Sequence, residues 1–112
     1  MYIKIYPENP QDRLVQMTVA TLQKGGIVIY PTDSVYGMGC SLEHVSSIPR
    51  MERIKGYYTP STRLSFLCYD LSQVSNYCRP MGNAVFRLIK KNLPGPFTFL
   101  LQGNSQVPKL FK

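Results

Sequence analysis

Three hydroxyl-bearing residues follow a short apolar strand, and they are the part of the chain best suited to chemistry. Thr32, Ser34 and Tyr36 come directly after the apolar run at 27–30 and Pro31. The carboxyl ends of strands are where α/β sheets usually place their ligands. Hydroxyls and exposed backbone amides in such a loop suit a small polar ligand or a phosphate. The same residues also fit an ordinary turn held by local side-chain hydrogen bonds, and both interpretations stay open.

Two glycines, Gly37 and Gly39, follow this loop. Residues without a Cβ let another group approach the backbone closely, which a bound ligand could use. The segment is not a dinucleotide-binding fingerprint, because the third glycine and its spacing are absent. We therefore predict a polar, glycine-bearing loop over residues 31–39 and no Rossmann-type site.

A lysine closes the next predicted helix and opens a second loop. Lys55 is followed by Gly56, and Tyr57, Tyr58 and Arg63 come next. A lysine here could reach a phosphate as a point charge. It could equally complement the negative end of its own helix. Aromatic residues among cations can stack bases while the charges hold a backbone, although they also fit an exposed loop.

Further cations and a hydroxyl lie in the second half of the chain. Thr98 follows the Pro94-Gly95-Pro96 turn, whose prolines restrict the backbone. It could present its hydroxyl to a ligand or simply alternate outward from a strand that buries the flanking phenylalanines. Arg87, Lys90 and Lys91 share one face of a predicted helix and could contact nucleic-acid phosphates. A solvated surface is the alternative for these three.

Periodicity predicts the elements that must position these side chains. Strands are expected at residues 2–6, 27–30, 64–68 and 97–101, and helices at about 10–24, 43–55, 70–78 and 83–92. Alternating strands and helices favour a layered α/β or α+β domain. The chain of 112 residues fits one domain or part of one.

Local signals predict where two of these helices begin or end. Asn9 and Pro10 have the types preferred at a helix cap and at the first helical position. Gly25 can adopt the left-handed conformation that commonly ends a helix. Asp70, with Gln73 three residues later, predicts a capping-box-like start for the third helix.

Composition limits the classes of partner. Thirteen Lys and Arg against six Asp and Glu give a net charge of +7, which favours polyanionic partners. A basic protein that is merely well solvated is the alternative. The three cysteines are odd in number and form no C-x-x-C pair, and His44 is the only histidine. We therefore expect no disulfide framework and no structural metal.

Targeting signals are not expected. The opening residues run straight into polar sequence, unlike a signal peptide. No apolar run approaches the roughly 20 residues that a membrane helix needs. A reducing cytoplasm is the expected compartment, without membrane association.

Four landmarks occur in one order along the chain: Lys24-Gly25-Gly26 before an apolar strand, then residues 31–37, Ile54-Lys55-Gly56, and residues 94–98. Together they resemble the YrdC/YciO family. Residues 64–71 and the helix at 83–91 resemble its YciO branch more than its synthase branches. The resemblance implies a twisted mixed sheet with flanking helices, α/β or α+β, of YrdC/RibB-like type, with a concave basic surface. It implies one domain over residues 1–112 that is incomplete and truncated at its C-terminal side.

The resemblance also implies a chemistry. Characterised members use ATP, bicarbonate and L-threonine to make threonylcarbamoyl-adenylate, the donor for a tRNA modification. Members are also described as double-stranded RNA binders. By motif, Thr32, Ser34 and Tyr36 would form the threonine-binding part, with Ser34 as the contacting hydroxyl. Lys55, Arg63 and Thr98 would lie near the nucleotide, with Mg²⁺ as a candidate accompanying ion.

The chain also departs from the family. Synthases usually carry Lys-x-Arg after this helix, whereas Tyr57 stands two positions after Lys55 here, and Arg63 has a different spacing. We expect a nucleotide- and RNA-related protein that is catalytically inactive as this fragment. A full-length form, if it is active, would be an ATP-dependent threonylcarbamoyl-AMP synthase, a nucleotidyltransferase. One alternative is a double-stranded RNA or tRNA binding module without catalysis. Another is a silent structural fragment that forms homo-oligomers through exposed sheet edges.

Overall fold

The computed structural model describes residues 1–56 and 64–111. These two ranges belong to two compact units. The first combines helices with an antiparallel sheet, and the second contains helices and extended segments. The described chain is therefore a mixed α/β protein, which confirms the predicted fold class.

Helix α1 spans Asp12–Gln23 and begins later than predicted. Its cap is Gln11, which makes no side-chain hydrogen bond to the helix. Asn9 instead lies in a turn, where its amide donates to the Tyr6 carbonyl at 3.2 Å. Asn9 therefore stands two positions before the observed cap, and the predicted cap is wrong. The predicted end is confirmed, because Gly25 has a φ of 75°.

The sheet is a two-stranded antiparallel pair. Strand β1, Ile27–Tyr30, pairs with β2, Gly37–Cys40, with Tyr30 opposite Gly37 and Ile27 opposite Cys40. The first strand was predicted, but Gly37 and Gly39 were assigned to the loop. Glycine has low intrinsic preference for strands, so composition hid β2, which forms because β1 offers it a partner.

A 3-10 helix at Leu42–Ser47 leads directly into helix α2, Ile48–Lys55. Two hydrogen bonds tie this region to the end of α1. The Ser47 hydroxyl donates to the Gly25 carbonyl at 2.7 Å, and the His44 Nε2 lies 2.6 Å from the Gln23 carbonyl oxygen. Ser47 and Ile48 are buried, so the tie forms part of the small core of this unit.

In the second unit, helix α3 spans Leu71–Tyr77 and begins as predicted. The Asp70 carboxylate accepts from the Gln73 amide at 2.8 Å, and the Gln73 side chain accepts from the Tyr69 amide at 2.7 Å. These bonds satisfy backbone donors that a helix start leaves free.

The chain after α3 is fixed by a distant asparagine. The Asn104 side-chain amide donates to the carbonyls of Asn76 and Cys78, at 2.9 and 3.1 Å. Its backbone amide donates to the Tyr77 carbonyl at 3.0 Å. Three carbonyls at the end of α3 are thus satisfied by one residue that lies 26 to 28 positions away.

Helix α4 spans Asn83–Asn92, as predicted. Fewer of its apolar residues are buried than their helical spacing indicates. Ile89 is 1% exposed, whereas Val85 and Leu88 are 42% and 55% exposed. The helical period correctly identifies a common face. Burial of that face also requires a neighbour along its full length, and helical spacing alone does not supply one.

Three predicted strands do not form. Residues 2–6, 64–68 and 97–101 belong to no strand, and among the described residues after α4 a single bridge pairs Gly103 with Cys78. Phe97 is 56% exposed rather than buried. Alternating apolar residues favour extended backbone, but a strand also requires a hydrogen-bonded neighbour about 4.8 Å away. None of these segments has such a neighbour within the described ranges.

Candidate functional site

The predicted threonine-binding residues all lie on the loop that joins β1 to β2. Residues 31–36 are all exposed, and Val35 and Tyr36 are 74% and 75% exposed. Thr32, Ser34 and Tyr36 are therefore brought together on one accessible segment. Because the two strands are adjacent and antiparallel, the loop is anchored at both ends by the sheet.

The Thr32 hydroxyl is occupied inside this loop. It accepts from the backbone amides of Ser34 and Val35 at 3.3 and 3.2 Å, and it donates to the Val35 carbonyl. A hydroxyl has one proton to donate and two lone pairs that accept. Its capacity is therefore used within the loop. The local side-chain hydrogen bonds that the sequence left open as an alternative are therefore present, although the sequence did not single out Thr32 as the residue that makes them.

Ser34 has the more available hydroxyl of the pair. Its Oγ lies 3.5 Å from the Thr32 Oγ1, at the outer limit of a hydrogen bond, on an exposed residue. Such a long contact contributes little, so a ligand can replace it at low cost. The loop thus presents the Ser34 hydroxyl, which has only this long contact within the described residues, beside a hydroxyl that is already engaged.

A tyrosine ring lies close to both glycines that follow the loop. A Cβ added at Gly37 would lie 2.8 Å from the Tyr30 Cε2, and one added at Gly39 would lie 3.3 Å from the Cε1. The close approach inferred from the sequence is therefore made by Tyr30. Its ring covers the start of β2 and holds the second end of the loop. The signal that could have indicated this role is an aromatic residue opposite a glycine in a strand pair.

Lys55 is the last residue of α2, with an exposed side chain. Ile48 and Met51 on the same helix are 2% and 5% exposed. Gly56 then ends the helix with a φ of 76°. Helix α2 packs against β2, the strand into which the hydroxyl loop runs. Lys55 and Ser34 therefore belong to one unit. The position of Lys55 at the end of α2 is compatible with a phosphate contact and with complementing the negative end of the helix, the two roles inferred from the sequence.

The other predicted site residues lie outside the described part of the first unit. Arg63 lies outside the described residues. Thr98 is an exposed residue of the second unit, in a segment without strand pairing, and its role near a nucleotide stays a prediction. The predicted nucleic-acid cations are all exposed on α4: Arg87, Lys90 and Lys91.

Two cysteine thiols are poorly suited to nucleophilic chemistry. Burial raises the pKa of the Cys40 thiol. Burial also raises the pKa of the Cys68 thiol, with smaller contributions from the negative charge of Asp70 and from Cys78. A raised pKa lowers the fraction of reactive thiolate at neutral pH.

Neither a metal cluster nor a membrane span is found in the described part of the chain. Residues 1–56 and 64–111 contain no group of three or more His, Cys, Asp or Glu side chains that could hold a metal ion. Within the same ranges, the helices are too short or too polar to cross a bilayer.

Open cavities occur away from the predicted residues. Two of about 380 and 600 Å³ lie in the second unit, and Arg79 and Asn104 line both. No residue predicted from the sequence as a site residue lines either one. Nothing in the local sequence pattern of Arg79 distinguishes it from a surface arginine.

The amino-acid sequence is similar to a known protein family and to several known proteins. Residues 20–112 match the Sua5/YciO/YrdC family, described as telomere recombination. The chain is 40% identical over 108 residues to the uncharacterized protein YciO of Escherichia coli (strain K12), covering 96% of this chain and 52% of that protein. It is also 40% identical to an uncharacterized protein of Haemophilus influenzae, over 96% of this chain and 51% of that protein.

More distant similarity extends to named enzymes. The chain is 33% identical over 103 residues to threonylcarbamoyl-AMP synthase of Chromobacterium violaceum, covering 91% of this chain and 52% of that enzyme. The chain thus spans about half the length of the curated relatives that it matches.

Proposed function

The chain belongs to the Sua5/YciO/YrdC family, and we propose that it binds ATP and an amino acid as part of a protein related to threonylcarbamoyl-AMP synthesis for tRNA modification. Relatives named threonylcarbamoyl-AMP synthase support this assignment and imply ATP and threonine as the ligand classes. Bicarbonate and an accompanying Mg²⁺ belong to the same proposal.

The observation that carries the proposal is the placement of Ser34 and Lys55 in the first unit. Ser34 offers a hydroxyl from an exposed loop anchored by the sheet. Lys55 offers an ammonium group from the end of the helix that packs against the strand leaving this loop. A hydroxyl suits an amino-acid carboxylate, and an ammonium suits a phosphate. The two side chains therefore supply the two kinds of recognition that the proposed ligands require.

The chemistry of the proposed reaction needs little from a nucleophilic side chain. A carbamate oxygen of the carboxylated threonine attacks the α-phosphorus of ATP, and pyrophosphate leaves with the electron pair of the broken bond. Catalysis then depends on placing the two ligands and on neutralising developing charge. The raised thiol pKa of Cys40 and of Cys68 agrees with a mechanism without a cysteine nucleophile.

We expect this chain to bind its ligands without appreciable turnover. Tyr57 replaces the arginine that synthases usually carry two positions after the lysine, which removes a planar donor for phosphate oxygens. A loss of that kind is more damaging to a charge-developing transition state than to ground-state binding.

Calorimetric titration of the 112-residue chain with ATP and Mg²⁺ tests the binding proposal. We expect saturable binding that weakens as salt is raised, because the phosphate contact is electrostatic. Pyrophosphate release in the presence of bicarbonate and L-threonine is measured in parallel and is expected to stay at background. A folded chain that shows no ATP binding at low salt would contradict the proposal.

RNA binding by α4 is a second candidate function. Its support is the exposed trio Arg87, Lys90 and Lys91 on a chain of net charge +7. Fluorescence anisotropy with a labelled RNA duplex at 50 and 200 mM salt is the measurement. We expect affinity to fall steeply with salt, and less steeply when the three residues are changed to alanine, because fewer counterions are released. Equal affinity at both salt concentrations would rule out phosphate-driven binding.

A further inference from the structure

We propose that Thr32 is a positioning residue, which holds the loop so that Ser34 can contact the ligand, and that Thr32 itself does not touch it. This inference rests on the proposed function, because it assigns separate roles to two hydroxyls of the same candidate site. The sequence motif alone predicts that both hydroxyls bind threonine. Their different hydrogen bonds indicate different roles.

The bonding of Thr32 is complete without a ligand. Its Oγ1 accepts from the amides of Ser34 and Val35 at 3.3 and 3.2 Å, and its proton is directed to the Val35 carbonyl. A ligand could bond to this oxygen only by displacing a backbone partner. Ser34 is different, since the only bond found for its hydroxyl within the described residues is the 3.5 Å contact to Thr32.

The loop has no other internal support of comparable kind. All of residues 31–36 are exposed, so apolar packing does not fix their conformation. The ring of Tyr30 covers Gly37 and Gly39 and holds the base of the loop, but not its tip. The Thr32 hydroxyl is the group that links the tip residues to the end of β1. Removing it frees two amides and leaves Ser34 with many orientations.

A pre-organised hydroxyl binds more tightly than a free one, because the ordering cost is met before the ligand arrives. The expected loss from removing the brace is therefore moderate. We expect Thr32→Val to weaken L-threonine binding, measured in the presence of ATP and Mg²⁺, by about 3- to 10-fold, the scale of a neutral hydrogen bond. Binding of ATP alone should be unchanged, because Lys55 lies on a different element.

Three variants of the full chain separate the roles. Thr32→Val has nearly the same shape as threonine but no hydroxyl, whereas Thr32→Ser restores the hydroxyl and is expected to restore affinity. Ser34→Ala removes the proposed contact and keeps the brace. Circular dichroism and thermal melts of all three should match the wild type, because both positions are exposed.

Amide hydrogen exchange gives a readout that needs no ligand. In Thr32→Val, the amides of Ser34 and Val35 should exchange faster than in the wild type, because they lose their acceptor. In Ser34→Ala, the amides at positions 34 and 35 should keep their protection although L-threonine affinity falls. Affinity for L-threonine thus falls in both variants, whereas amide exchange becomes faster only when the positioning residue is changed.

The outcomes distinguish this inference from the proposed function. Absence of L-threonine binding to the wild-type chain would overturn the proposed function and, with it, a positioning role in binding. Wild-type binding that Thr32→Val leaves intact, with unchanged exchange, would overturn the inference alone. Loss of binding in both Thr32→Val and Thr32→Ser, with the loop amides still protected in both, would instead make Thr32 a contact residue and also overturn it.

Discussion

Replacing Lys55 with alanine is expected to weaken ATP binding by about 10- to 100-fold, because a hydrogen bond to a charged group contributes about 1.5–3 kcal/mol. The side chain is exposed at the end of α2, so its removal leaves the buried face of that helix intact. Titration calorimetry of the folded variant with ATP and Mg²⁺ measures the effect. Pyrophosphate release is followed in the same samples.

Lys24→Ala is the matched control for this experiment. Lys24 is also an exposed lysine beside a helix end, so the control removes the same charge from the same unit. We expect it to change ATP affinity only slightly, through the general field of the protein. Lys55→Arg should keep part of the affinity. Equal losses in the two alanine variants would show that net charge, rather than a phosphate contact, governs binding.

Gly37→Ala is expected to destabilise the first unit by about 1–3 kcal/mol, the scale found for overpacked sites. The new Cβ would lie 2.8 and 2.9 Å from the Cε2 and Cζ atoms of the Tyr30 ring, closer than carbon atoms tolerate. The ring must then move away from its present position over β2, where it contacts Gly37 and Gly39. Urea denaturation followed by circular dichroism measures the free energy of unfolding.

Two further variants attribute the loss to the ring. Gly39→Ala brings its Cβ to 3.3 Å from the same ring and should cost less. In a Tyr30→Ala background, Gly37→Ala should have little effect, because the colliding group is absent, and the double-mutant cycle should give a clear coupling energy. If the cost of Gly37→Ala is the same with and without the ring, then Tyr30 is not the cause.

Features governed by neighbouring residues could be predicted from the sequence. The end of α1 at Gly25 and the start of α3 at Asp70 both depend on side chains or dihedrals within a few positions. The apolar strand at 27–30 was equally visible, because glycine precedes it and proline follows it. Such signals act locally, so the rest of the fold scarcely alters them.

Features that need a distant partner could not be predicted. The segments at 2–6, 64–68 and 97–101 have strand-like composition, yet hydrogen-bond pairing depends on which chain lies alongside. The reverse error occurred at Gly37–Cys40, where unfavourable composition is outweighed by an adjacent strand. Helix α4 shows the same limit for burial, since only Ile89 of its apolar face is fully covered.

For the candidate site too, some features could be predicted from the sequence and others could not. Sequence reasoning identified Ser34 and Lys55 by residue type and by their places after a strand and at a helix end. It could not separate the hydrogen bonds of two hydroxyls two positions apart, because their directions depend on the loop dihedrals. It also inferred a close approach to the backbone at Gly37 without identifying the group that makes it, which is an aromatic ring of the same protein.

The bonds made by Asn104 set a lower limit on how far the chain could be shortened experimentally. Recombinant versions ending before this position would remove the amide donors that serve Asn76, Tyr77 and Cys78. Those carbonyls would then depend on solvent, and the last turn of α3 would fray. Deletion series and protease mapping should therefore find a sharp boundary just beyond residue 104, although the residues around it form no regular element.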